Sequence, residues 1–117
     1  MKNFISCKIH GIRVTDKSVK YRGSVGICRQ LLVLAGIEPY EAVDVINLTT
    51  GARWTTYVIP EEAAGKFSLN GGGARLGELG DECVILTYQS SETFLGANVV
   101  FCDESNRSID IIRYENS

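Results

Sequence analysis

Val43-Asp44-Val45-Ile46-Asn47-Leu48-Thr49-Thr50-Gly51, followed by Arg53-Trp54-Thr55-Thr56-Tyr57-Val58-Ile59, is the stretch that decides the fold. Val43 to Leu48 alternates in the manner of a strand with one buried face, and Thr49-Thr50-Gly51 is a turn signal. Trp54 to Ile59 is rich in aromatic and β-branched residues, so Thr49 to Ile59 reads as the far side of a hairpin. Working outward, Phe4 to Val14 suits a strand and Glu82 to Tyr88 is a third strong one. Asn98 to Phe101 and Ser108 to Tyr114 add two more, joined by the polar turn Asp103-Glu104-Ser105-Asn106-Arg107. Ile27, Leu31, Leu34 and Ala35 fall at helical spacing, and Gly36 supplies a C-terminal stop. Ser24 then stands where an N-cap serine would stand. A shorter helix is predicted from Pro60 to Gly65. Many short strands with one or two small helices imply a mainly β chain, closed or nearly closed as a barrel. Periodicity does not separate one small barrel from another.

The 117 residues make one domain with a single modest core, and 44% hydrophobic with 22% charged residues is ordinary globular composition. A net charge of −2 argues against nucleic-acid binding. No apolar run approaches the ~20 residues of a membrane span. The opening Met1-Lys2-Asn3-Phe4-Ile5-Ser6-Cys7-Lys8 has no apolar core before a cleavage site, so a cytoplasmic location is expected. Cys7, Cys28, Cys83 and Cys102 are widely spread, without the spacing of a zinc site or disulfide framework. Free, mostly buried thiols and no metal are expected.

Four further motifs each have two readings. In Tyr21-Arg22-Gly23-Ser24 the Gly-Ser bond is either a common dipeptide before a helix or a reactive peptide. Lys8 and Arg53 are either solvated charges at strand edges or grips for an anion, arginine with two parallel hydrogen bonds and lysine as a point charge. Tyr57 is a core tyrosine or a proton donor, a phenol being protonated at neutral pH. Asn70-Gly71-Gly72-Gly73 is a tight or flexible turn, or a backbone cradle for a carboxylate. No Lys-Ser or Lys-Thr pair follows it, so it is not a P-loop.

Taken in order along the chain, Lys8-x-His10, Tyr21-Arg22-Gly23-Ser24, Arg53 with Thr56-Tyr57, and Asn70-Gly71-Gly72-Gly73-Ala74 resemble the aspartate 1-decarboxylase family, the pyruvoyl enzymes that make β-alanine for pantothenate synthesis. The resemblance is densest from Cys7 to Ala74. It implies a double-psi β-barrel and self-cleavage between Gly23 and Ser24 into residues 1–23 and 24–117. Ser24 would attack the Gly23 carbonyl, moving the acyl group from nitrogen to oxygen; β-elimination of the ester leaves a dehydroalanine, and hydrolysis gives a covalent pyruvoyl cofactor. Thr56 is the family match for the hydroxyl that polarises the carbonyl. The substrate amine condenses with the pyruvoyl ketone as a Schiff base, the role that pyridoxal phosphate plays elsewhere.

The same resemblance makes Lys8, Arg53, Thr56 and the Asn70-Gly71-Gly72-Gly73 backbone the substrate-binding residues for L-aspartate. Tyr57 becomes the proton donor, and His10 has a supporting role. A homotetramer with active sites between subunits is implied. Two positions depart from the family pattern. Cys28 stands where an acidic residue is usual near the cleavage site, and Gly72 and Gly73 replace alanines in the substrate loop. Two rival readings are a decarboxylase for another amino acid and an unprocessed barrel acting as a binding or regulatory module.

Overall fold

The computed structural model describes residues 1–115, and nine strands account for most of them. In chain order these are β1 (Lys2–Arg13), β2 (Asp16–Ser18), β3 (Ser24–Cys28), β4 (Ala42–Asn47), β5 (Arg53–Glu61), β6 (Phe67–Asn70), β7 (Glu82–Ser91), β8 (Ala97–Cys102) and β9 (Ser108–Tyr114). A helix, α1 (Arg29–Ala35), follows β3, and a 3₁₀ helix (Gly71–Leu76) follows β6. The strands hydrogen-bond in the order β2-β6-β3-β5-β4-β7-β1-β8-β9. The pairs β2/β6, β3/β5 and β1/β8 are parallel. Every other pair is antiparallel, including the predicted β4–β5 hairpin, in which Asp44 faces Thr55 and Ala42 faces Tyr57.

Alternation explains the burial. In β4, Val43, Val45 and Asn47 are buried while Asp44 and Ile46 are less so, the period-2 pattern of a sheet with one covered face. Ile9, Val25, Ile27, Val45, Val58, Phe67, Leu69 and Ile85, from six different strands, are all fully buried in one cluster. A single cluster fed by strands across the whole sheet requires that the sheet curl around it, so the expected mainly β barrel with short helices is what forms. No helix among the described residues is long and apolar enough to cross a membrane.

Three local expectations are corrected. Ser24 caps no helix: it opens β3 and is only 2% exposed. The helix starts at Arg29, with Cys28 at its N-cap, and buries Leu31, Leu32 and Ala35 while Leu34 stays 39% exposed. Gly36 does stop it, in the left-handed conformation at φ 81°. Second, Pro60 begins no helix but lies within β5, beside Ile27 of β3. Proline's missing N–H is tolerated there because β4 pairs with β5 no further than Tyr57, so its other side is an edge. Third, the triple-glycine segment, read as a tight or flexible turn or a backbone cradle, forms the first turn of a regular 3₁₀ helix, with Gly71 and Ala74 buried.

Candidate active site

The site is built where β3, β5 and β6 run side by side. Ser24 is the antiparallel partner of Asn70, and Val25 pairs in parallel with Val58. That parallel ladder begins at Val25 and Val58, so Ser24 and Tyr57 are the residues just before its first pair, and Gly23 and Thr56 precede them. Val25 and Val58 face the core, so alternation turns Ser24 and Tyr57 to the opposite face and Thr56 to the core side with Trp54. The proposed cleavage bond therefore lies at the start of the strand that neighbours the one bearing Thr56 and Tyr57.

Few hydrogen bonds restrain the serine. Asn70 Nδ2 donates to Ser24 Oγ at 3.0 Å, and the hydroxyl donates a long 3.4 Å bond to the carbonyl of Arg22. Gly71 closes the site from the far side. It sits at φ 64°, and a Cβ there would lie 2.7 Å from both the nitrogen and Cα of Gly23. Any side chain at 71 would thus displace the peptide it touches. A cavity of about 500 Å³ opens beside this end, lined among others by Tyr21, Lys17, Glu61, Ser68 and Asn70.

Tyr57 is half-buried, and the exposed Tyr40 stacks on it with ring centroids 6.2 Å apart. Arg53 shares Tyr57's face of β5 but lies four residues away, about 13 Å along the strand. Its Nη2 donates to Tyr88 Oη at 2.6 Å and to Asp44 Oδ2 at 3.2 Å. Asp44 is held below the usual carboxylate range, chiefly by the Thr55 hydroxyl at 2.6 Å and then by Arg53, while its hydrogen bond to Asp44 raises the guanidinium. Lys8 is in β1, opposite Leu86 of β7, which is itself opposite Asp44. That places it three strands, about 14 Å, from β5. One protomer therefore gathers Gly23, Ser24, Asn70 and Gly71, with Thr56 and Tyr57 on the neighbouring strand, and leaves Lys8 and Arg53 elsewhere on the barrel's outer surface. Gly72 is exposed, and Gly73 lies against Trp54.

Other groups fall outside this cluster. His10 is on β1, with its ring 5.5 Å from Phe101 and its buried Nδ1 without a hydrogen-bond partner. Burial pushes the Cys83 and Cys102 thiols up to about 12 and raises Cys7 as well, so these three are not thiolates at neutral pH. Cys28, where the family pattern has an acid, lies at the opposite end of β3 from Ser24, about 13 Å away. It is the N-cap of α1 and makes no side-chain cap bond. An acidic residue there is a helix cap by position.

Sequence reasoning missed Tyr40, Asp44 and Tyr88. Asp44 was recoverable from the hairpin register, which sets it opposite Thr55. Tyr40 and Tyr88 meet their partners only through the fold.

The family model for aspartate decarboxylase matches residues 1–109. Among its relatives, the chain is 42% identical over 110 residues to the aspartate 1-decarboxylase of Thermosipho africanus, covering 92% of each chain. It is 40% identical over 116 residues to that of Campylobacter jejuni, covering 95% of this chain and 91% of the relative. With that of Acaryochloris marina it shares 43% identity over 114 residues, covering 93% and 87% respectively.

Proposed function

The chain belongs to the aspartate decarboxylase family, and from that premise we propose that it cuts itself between Gly23 and Ser24 and then converts L-aspartate to β-alanine and CO₂. The observation that carries the reading is the buried Ser24 hydroxyl, which accepts one bond from Asn70 and is otherwise loosely held, in a peptide that only a glycine at 71 can approach so closely. A hydroxyl one residue after the carbonyl it must attack, with only a long donated bond to the Arg22 carbonyl, has no strong partner to give up first. Thr56, on the neighbouring strand, supplies the hydroxyl that steadies the developing negative charge.

These residues fit a pyruvoyl group at position 24, because Asn70 Nδ2, which donates to Ser24 Oγ, would remain as a donor to an oxygen there. Once formed, that group supplies the electron sink for loss of CO₂. The side chains do the rest. Arg53, preoriented by Asp44 and Tyr88, and Lys8 bind the carboxylates, and two cations suit a dicarboxylate. Tyr57, backed by Tyr40, returns a proton to the carbon that loses CO₂.

The separation of Lys8 and Arg53 from Ser24 supports a site completed between subunits of a homotetramer. Exposed Ile109, Ile111, Ile112 and Tyr114 of β9 give the barrel an apolar strand suited to such contacts. A cytoplasmic enzyme feeding pantothenate synthesis is the matching setting. The test is CO₂ release from L-aspartate by fully processed protein, with L-glutamate and other amino acids as comparison. Release from aspartate alone is expected; none from aspartate would overturn the reading.

A further inference from the structure

We infer that Trp54 is a positioning residue for the Gly23-Ser24 peptide, acting through a size-matched contact with Gly73 that sets where the 71–76 turn sits. A Cβ added to Gly73 would lie 2.9 Å from Trp54 Nε1, closer than a methyl and a ring approach without movement, and 3.5 Å from its Cε2, an ordinary contact. Trp54 cannot retreat easily, because it also packs against the hydrophobic core. The ring thus has both the core and the backbone of Gly73 as neighbours.

The turn it supports has its first residue against the reactive peptide. Gly71 touches Gly23 and the carbonyl of Tyr21, and Asn70, immediately before, holds the Ser24 hydroxyl. The turn's far end is fixed, since Asn47 Nδ2 donates to the carbonyl of Leu76 at 3.0 Å and Ala74 is fully buried. With one end anchored and its middle resting on Trp54, a push at Gly73 is passed to Gly71 and so to Gly23. The glycine where the family pattern has alanine is, in this chain, the complement of the tryptophan rather than a loosened loop.

This inference rests on the proposed self-cleavage, and the test separates the two. Gly73→Ala, Trp54→Phe and the double variant are compared by cleavage rate, thermal midpoint and, in uncut protein, the amide NMR signals of Gly23 and Ser24. Gly73→Ala is expected to slow cleavage about tenfold and lower Tm by roughly 5 °C. It should also shift both amide signals. A phenyl ring is smaller than the indole and leaves room for the added methyl, so Trp54→Phe added to Gly73→Ala restores rate and signals to near the wild type. Wild-type protein that never cuts overturns the cleavage reading, and the amide signals still decide the contact. If Gly73→Ala cuts as fast as wild type with unmoved Gly23 and Ser24 signals, or if Trp54→Phe rescues nothing, the inference is wrong.

Discussion

Ser24 and Asn106 are both buried polar residues, 2% and 3% exposed, yet their surroundings are opposite in kind. Asn106 uses its side chain fully. Its Oδ1 accepts from the Arg13 amide at 2.7 Å, and its Nδ2 donates to the carbonyls of Arg13 and Gly65 at 2.8 Å each. It closes the β8–β9 connection onto β1 in an αL conformation, φ 60°, that asparagine tolerates. Ser24 has one good bond and one long one. Saturated hydrogen bonding fixes a loop; an undersatisfied hydroxyl, held in place by packing, is left able to react.

That contrast predicts a crossed pair of effects. Asn106→Ala leaves three backbone groups without their partner and should cost about 2–3 kcal/mol, read as a Tm fall of roughly 10 °C, with the cleavage rate unchanged well below Tm. Asn70→Ala should do the reverse, slowing cleavage about tenfold while moving Tm by only a few degrees. If both variants change stability and cleavage in proportion, the two sites do not differ as described.

A smaller effect is expected in acid. Asp81 is held low by the Asn47 side chain and then by the Glu78 amide, and Asp103 by the backbone amides of Arg107 and Ser105. A depressed folded pKa contributes stability that is present above the unfolded value and lost as pH falls through the folded one. Tm should therefore hold from pH 7 to about 5 and decline below about 4. Asp81→Asn should shrink that decline, and thermal melts across the range check it. The smallest effect is at the far end of β3. Cys28→Ser supplies the cap that α1 lacks and should add about 0.5–1 kcal/mol without altering cleavage. A change in cleavage would instead place position 28 in the processing chemistry.

β4 was legible because it carries a period of two that burial imposes, and β5 because it is rich in aromatic and β-branched residues. β3 was not. Its five residues are all buried, so it shows no alternation, and Gly26 in its middle weakens any strand signal. Ile27 then fell by coincidence into register with Leu31 and Ala35 and drew the helix too far back. β2 and β6 are only three and four residues long, too short for a pattern to register. Ser24, Tyr57 and Asn70 were found through motifs, and their meeting depends on parallel pairing between β3 and β5, which no local signal encodes. The tie between Gly73 and Trp54 depends on the same nonlocal geometry.

The central claim, that Ser24 is a self-processing centre, is tested most directly by the intact mass of the purified protein under denaturing conditions. The account predicts two fragments meeting at Gly23 and residue 24, the larger bearing an N-terminal pyruvoyl group. A single uncut chain that persists after prolonged warming would contradict it.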